Sequence, residues 1–280
     1  MRIYGVDFTS TPTVRKPITV ARCELADGEP RLALAELARI PGFDAFRKSL
    51  NHPGPWVAGM DFPFGQPVKL VENLEWPDTW EEMARRAGDL NRQELVDLLD
   101  LYRASRAKGD KEHLRETDRR AGSLSPMKVY GVPLAKMFHE GAPRLAATPC
   151  NVPPVRPTDD DRTVLEAYPG LAARSLLGEK KSYKHDVKRK QTPARRQVRK
   201  EILATLQADR CREIYGFRLH VNPYQATALL DDASGDLLDA VLAAVQAAWA
   251  WRQGETWGIP ADCDPLEGWI VDPATLGDEG

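Results

Sequence analysis

Near the start of the chain, the hydrophobic residues are grouped in short runs that are separated by turns containing proline and glycine. This pattern predicts three β-strands, at Arg2–Asp7, Pro17–Leu25 and Arg31–Leu37. Because the connections between these runs are short, we expect the strands to pair antiparallel. A brief helix at Phe43–Leu50 and a fourth strand at Trp56–Asp61 are predicted to follow.

The pattern changes to mostly helical spacing after the fourth strand. A capping-box sequence, Thr79-x-x-Glu82, predicts the start of a helix. Residues 108–157 are polar and then rich in proline and glycine, and no regular element is predicted there. The further predicted elements are helices at Trp80–Arg86, Asn91–Ala107, Leu171–Leu177, Pro193–Ala208 and Asp236–Arg252, and a fifth strand at Arg162–Ala167.

Two of the predicted strands end on the same arrangement of a glycine, a hydrophobic residue, an aspartate and an aromatic residue. The two segments are Gly5-Val6-Asp7-Phe8 and Gly59-Met60-Asp61-Phe62. A carboxylate at the end of a buried strand is costly unless it is hydrogen-bonded, paired or bound to a metal. If the two strands are parallel neighbours, Asp7 and Asp61 meet at one edge of the sheet, where α/β proteins usually bind ligands.

Composition narrows the class of protein without deciding its function. The chain has 280 residues, of which 42% are hydrophobic and 29% are charged, as in an ordinary globular protein. Its net charge of −2 argues against a protein that binds along polyanions through its overall positive charge. The N-terminus enters a strand at once, so no signal peptide is expected. The longest apolar run, Ala240–Trp251, is too short for a membrane span. The four cysteines, Cys23, Cys150, Cys211 and Cys263, are far apart in the sequence. This spacing argues against a disulfide framework or a structural zinc site and favours a location in the reducing cytoplasm.

Positive charge is concentrated between Lys180 and Lys200, which we call the basic segment. It contains ten lysines and arginines and one acidic residue, Asp186. One interpretation is a surface that binds the phosphate backbone of a nucleic acid. The other is an ordinary solvated surface, which is the usual role of such runs. The candidate nucleic-acid-binding residues are Lys180, Lys181, Lys188, Arg189, Lys190, Arg195 and Arg196.

Several short motifs follow one another along the chain. They are Gly5-Val6-Asp7, Met60-Asp61-Phe62-Pro63-Phe64-Gly65, Arg115-x-x-Asp118-Arg119, Glu166-Ala167-Tyr168-Pro169, Tyr183-Lys184 with Arg195-Arg196, and Asp236-Leu237-Leu238-Asp239-Ala240. In their order and spacing, these motifs resemble a family of bacterial and archaeal proteins of unknown function that are predicted to be nucleases of the RNase H-like fold. Two departures are clear: Gly170 stands where the family commonly has a glutamate, and Gly235 precedes Asp236 where the family often has an aspartate pair.

The resemblance implies an α/β fold of the RNase H-like type, with a mixed five-stranded sheet of three antiparallel strands followed by parallel strands, flanked by helices. We therefore expect one domain over residues 1–280, with a helical or irregular insertion at about 66–157. Asp-x-x-Asp-Ala near a late alanine-rich helix is similar to the closing motif of Holliday-junction resolvases of that superfamily.

The nuclease interpretation requires a group of carboxylates, because two Mg²⁺ or Mn²⁺ ions stabilise the attacking and leaving oxygens of a phosphodiester. Asp7 is expected to bridge both ions, and Asp61 and Asp239 to hold one each. Asp236 lies three residues before Asp239, on the same face of a helix. Glu166 is expected to bind metal or to position water, and Lys184 to stabilise charge electrostatically. Nucleic acid, DNA or RNA, is the expected partner.

Other interpretations remain open. Strand-end aspartates are often only turn residues, Asp236 suits a helix N-cap, and Asp118 lies in a charged stretch that is typical of a solvated helix. The segment Gly5–Ser10 faintly resembles the first phosphate loop of actin-like ATPases and sugar kinases, but those loops generally have a glycine soon after the aspartate, and this chain has Phe8-Thr9-Ser10-Thr11-Pro12 there. A nucleic-acid-binding module without catalytic turnover is the third alternative.

Overall fold

The computed structural model describes residues 1–26 and 30–276. Its centre is a mixed six-stranded sheet in the order β5-β4-β1-β2-β3-β6. β1, β2 and β3 pair antiparallel, β4 is parallel to β1, β5 is parallel to β4, and β6 is parallel to β3. The strands are β1 Arg2–Asp7, β2 Ile18–Leu25, β3 Arg31–Ile40, β4 Trp56–Met60, β5 Arg162–Glu166 and β6 Arg218–His220.

The prediction of a five-stranded sheet was wrong, because β6 adds a sixth strand at the β3 edge. β6 has only three residues, too few to show a hydrophobic alternation in the sequence. It is a strand because it pairs with residues Arg31–Ala33 of β3, which are far away along the chain. The five predicted strands and the antiparallel pairing of the first three are confirmed.

Helices cover both faces of this sheet. Each predicted helix is present, with ends that differ by at most a few residues. The helices are α1 Phe43–Leu50, α2 Val68–Asn73, α3 Trp80–Asp89, α4 Arg92–Ala104, α5 Glu116–Ala121, α6 Leu134–Ala146, α7 Pro169–Leu177, α8 Pro193–Leu206, α9 Asp209–Tyr215, α10 Pro223–Asp231 and α11 Asp236–Arg252.

Two of these helices, α5 and α6, lie in residues 108–157, for which the sequence predicted no regular element. α6 contains Gly141 and Pro143, and both residue types disfavour a helix interior. A Cβ atom at Gly141 would overlap the Phe62 ring, so close packing explains the glycine. The predicted capping box before α3 is not formed, because the Thr79 hydroxyl donates to the Glu82 carboxylate, 3.0 Å away, instead of accepting from the backbone.

The long helix α11 lies directly against the sheet. Every residue from Leu237 to Ala250 is buried, as expected for a helix that is hydrophobic on all sides. One hydrophobic core lies between α11, its neighbouring helices and one face of the sheet. A second core fills the opposite face, beneath α1, α3 and α6. In the described part of the chain, none of the helices has the length and hydropathy needed to cross a bilayer.

Candidate functional site

Three aspartates from separate parts of the chain meet at one edge of the sheet. Asp7 is the last residue of β1, Asp61 directly follows β4, and Asp239 lies in the first turn of α11. β1 and β4 are parallel, with Val6 opposite Met60, so the two strand-end aspartates are level with each other. One carboxylate oxygen from each aspartate lies within 4.8 Å of the other two. We call these residues the carboxylate group.

The surroundings of Asp7 and Asp61 disfavour negative charge on these two side chains. Burial raises the pKa of Asp7 well above its usual range; Lys184 lowers it, and Asp239, Asp236 and Asp61 raise it further. Burial also raises the pKa of Asp61 to about 7, with Lys184 opposing this effect and Asp239 adding to it. Asp239 itself has no solvent-exposed surface. A cation held among these oxygens would relieve the repulsion, and hard oxygen ligands suit Mg²⁺ and Mn²⁺.

Lys184 and Tyr183 both contact Asp239. The Lys184 ammonium forms an ion pair with Asp239 Oδ2, and the Tyr183 hydroxyl donates to Asp239 Oδ1 at 2.6 Å. Burial would lower the pKa of Lys184, but Asp239, Tyr183, Asp7 and Asp61 outweigh that effect and raise it well above the usual range. The backbone at Gly235, with φ of 82°, packs closely on Lys184, where a Cβ would lie 2.6 Å from the Lys184 Cβ. Lys184 is therefore held at the carboxylate group by both charge and packing.

Asp236 lies near the carboxylate group but is not one of its three members. It is half-buried in the first turn of α11, where its charge raises the pKa of Asp7. The N-cap interpretation of Asp236 was wrong, because Gly235 is the N-cap residue. Asp232 instead bonds the start of the helix, accepting the Leu237 N–H at 2.8 Å. No feature of the sequence assigned this role to Asp232.

Glu166, at the end of β5, is bound by an arginine that received no role from the sequence. The two terminal nitrogens of Arg115 donate to the Glu166 carboxylate at 2.8 and 2.6 Å. Glu166 also accepts the Phe64 N–H at 2.8 Å, so it fixes the turn that follows Asp61. Burial raises the pKa of Glu166, while Arg115 lowers it. Glu166 is outside the carboxylate group, although its charge helps to raise the pKa of Asp61.

Asp118 completes this ion-pair network. Both of its oxygens accept from Arg115, at 2.9 Å, and one accepts from the Ser123 hydroxyl at 2.6 Å. Asp118 and Arg115 are each only 1% exposed. The expectation that Asp118 belongs to a solvated helix face was therefore wrong. The spacing Arg115-x-x-Asp118 is the feature of the sequence that could have indicated this pairing, because the same two residues form the capping box at the start of α5.

The basic segment contains residues in three different situations. Lys188, Arg189 and Lys190 form an exposed 3₁₀ turn. Lys180 and Lys200 are exposed as well. The remaining basic residues have intramolecular partners. Three form ion pairs: Lys181 with Glu179 and Glu201, Lys184 with Asp239, and Arg196 with Asp231. Two donate hydrogen bonds: Arg195 to the Ser182 hydroxyl, and the buried Arg199 to the carbonyls of Tyr183 and Leu230.

The exposed turn of the basic segment is anchored beside the carboxylate edge. Asp186 forms an ion pair at 3.1 Å with Lys16, which belongs to the connection between β1 and β2. That connection begins directly after Asp7, and within it the Ser10 carbonyl accepts from Arg92 of α4 at 3.0 Å. The basic segment thus emerges on the same side of the sheet as the carboxylate group.

Comparison with protein-family models gives one match, to DUF429, a protein family of unknown function, over residues 5–264. The chain belongs to this family. The matched region contains all three members of the carboxylate group, together with Lys184 and the basic segment. Searches of curated proteins and of solved structures found no match.

Proposed function

We propose that this DUF429 protein is a metal-dependent nuclease with an RNase H-like fold. The observation that carries the proposal is the convergence of Asp7, Asp61 and Asp239, three carboxylates within 4.8 Å of one another at the carboxyl edge of parallel strands. The strand order supports it, since three antiparallel strands are followed by β4 and β5 on the β1 side. The relation to the resolvases rests on the Asp236-x-x-Asp239-Ala240 motif.

The donor set fits Mg²⁺ or Mn²⁺, because the three groups offer only oxygen and two of them, Asp7 and Asp61, have raised pKa values that a nearby cation would lower. Asp7, Asp61 and Asp239 would hold the metal, with Asp236 next to them. When bound, divalent ions activate water and neutralise charge on the phosphodiester oxygens.

The other residues have separable roles in this proposal. Lys184 orients Asp239 and places positive charge where a phosphate would bind. Glu166 positions the turn after Asp61 through the Phe64 N–H, rather than acting on substrate. The exposed turn Lys188–Lys190 binds the phosphate backbone of DNA or RNA.

The decisive experiment is a cleavage assay on a panel of single strands, duplexes, DNA–RNA hybrids and branched junctions, with Mn²⁺ or Mg²⁺. At least one substrate should be cut, and Asp61→Asn should lower the rate by about 100-fold or more while binding persists. Asp44→Asn, at an aspartate whose side chain is 85% exposed on α1, is the matched control and should cleave normally.

The same assay separates the alternatives. A protein that ignores the whole panel but hydrolyses ATP would be a phosphotransferase or ATPase of an actin-like type. Binding without cleavage under any metal condition would indicate a catalytically inactive nucleic-acid-binding module.

We propose a cytoplasmic location for this activity. Cys23, Cys150, Cys211 and Cys263 are all free thiols, and the first three are buried. Free cysteines are common in reducing compartments.

A further inference from the structure

A cavity of about 270 Å³ opens next to the carboxylate group. Asp61 and Lys184, which lie at the carboxylate group, both line it, and Arg115, Asp118 and Glu166 also contribute to its surface. The rest of the wall is largely apolar or aromatic, formed by Phe62, Leu124, Val132, Leu134, Met137 and Tyr168.

We propose that this cavity binds one unpaired nucleobase of the strand whose phosphate lies at the carboxylate group. This inference rests on the proposed nuclease function and specifies its substrate. A base that is paired and stacked inside a duplex cannot enter a side cavity. The nucleotide at the cleavage position must therefore be single-stranded or flipped out of its helix.

The walls have the chemistry that a base requires. Leu124 and Val132 are 46% and 52% exposed. Covering such apolar side chains with a ligand is favourable, because it removes apolar surface from water. Tyr168 offers an aromatic ring, and bases stack on such rings regardless of their sequence. A flat ligand with two apolar faces would bury these side chains.

The charge of the cavity argues against a phosphate inside it. Arg115 is surrounded by the carboxylates of Asp118 and Glu166, so this part of the wall has one positive and two negative charges. An anion would be repelled there, whereas a neutral base has no net charge to be repelled. The phosphate would instead lie near Lys184 at the carboxylate group, and the base would occupy the cavity. The cavity and the carboxylate group share Asp61, so a single nucleotide can contact both.

The test measures binding in Ca²⁺, which should support binding with little turnover. A short single strand of nucleic acid is compared with a series of strands of the same sequence, each of which has one abasic site at a different position. One abasic position should weaken binding roughly 10-fold, because a base–aromatic stack is lost, and the others should have smaller effects. A 2-aminopurine at that position should change its fluorescence on binding.

Variants then locate the base. Leu124→Ser combined with Val132→Ser, and separately Tyr168→Ala, should each remove the penalty at that abasic position, whereas Tyr168→Phe should retain it. Leu101→Ser and Tyr224→Ala are matched controls, since these residues are 72% and 84% exposed on α4 and α10. Leu124 and Val132 are also largely exposed, so their replacement should leave the fold intact, which circular dichroism would verify.

Two negative results have different meanings. If the protein cleaves nucleic acid but no abasic position weakens binding, the base-binding cavity is wrong and the nuclease proposal stands. If the protein neither binds nor cleaves any member of the panel, both proposals are wrong.

Discussion

Gly5 of β1 lies against Ala240 of α11 so closely that a Cβ atom at Gly5 would overlap the Ala240 carbonyl oxygen. The missing side chain lets the helix rest on the strand backbone. Asp7 follows Gly5 by two residues, and Asp239 directly precedes Ala240. The close approach of strand and helix therefore brings these two carboxylates together.

Gly5→Ala should destabilise the protein by about 3 kcal/mol or more, because neither the strand nor the buried helix can move without disturbing the core. Urea unfolding would measure this. Gly42→Ala is the control, since a Cβ there would meet nothing within 4 Å. Gly42 is the N-cap of α1, where alanine is disfavoured, so up to about 1 kcal/mol is expected for the control. Equal losses for the two variants would contradict the close packing.

Asp7→Asn should leave the metal-free protein as stable as the wild type or slightly more stable, since it removes one charge from a group whose members repel one another. In the wild type, saturating Mn²⁺ or Mg²⁺ should raise Tm by about 5 °C, the effect of ligand at roughly 100 times its Kd. Asp7→Asn should lose most of that rise in differential scanning fluorimetry. If Asp7→Asn instead unfolds the metal-free protein, Asp7 has a structural role.

Lys184→Met should destabilise the metal-free protein by about 1–3 kcal/mol, because it leaves the Asp239 carboxylate buried without its cation. This is less than for a fully buried pair, since the Lys184 side chain is 39% exposed. Adding Asp239→Asn to Lys184→Met should restore part of the lost stability. Chemical denaturation of the wild type, the two single variants and the double variant would give a double-mutant cycle. Lys16→Met, which breaks the exposed pair with Asp186, should change stability by no more than about 0.5 kcal/mol. A cycle without coupling would contradict the pairing.

Converting Lys188, Arg189 and Lys190 to glutamate tests the basic segment. If these exposed residues contact phosphates, the slope of log binding constant against log salt should become shallower by roughly 0.7–0.9 per lost contact. The fold should survive, because the 3₁₀ turn contributes no buried side chain. Fluorescence anisotropy at several salt concentrations would measure the slope. An unchanged slope would mean that this turn is only a solvated surface.

His139 should make stability depend on pH. Glu140 raises the pKa of His139; burial opposes this, and the Leu90 carbonyl, 2.8 Å away, adds to it. Because the pKa is higher in the folded protein, the contribution of His139 is fully present below its unfolded value of about 6.5 and is lost as pH rises through the folded value. The free energy of unfolding, measured with urea at pH 6 and at pH 9, should change less between these two pH values in His139→Gln than in the wild type. Glu140→Gln should reduce this change too. The same change in all three proteins would exclude this role of His139.

Much of the fold was predictable from local pattern. β1, α1 and α11 have the predicted ends, since turn residues or a change of hydrophobic spacing mark each boundary. The repeated glycine–aspartate motif indicated that Asp7 and Asp61 would meet at one edge if β1 and β4 were parallel neighbours, and the two strands do pair in this way. The ends of these elements depend on residues close together in the sequence, so the sequence alone determines them, whereas the pairing of β1 with β4 joins residues that are far apart along the chain.

Contacts between distant residues decided the remainder. β6 exists because it pairs with β3, and α6 tolerates Gly141 because the Phe62 ring needs that space. Glu166 had the sequence position of a metal ligand, but Arg115, 51 residues earlier, binds its carboxylate. A buried carboxylate takes whichever positive group or N–H donor the fold places beside it, and only the tertiary structure determines which one that is.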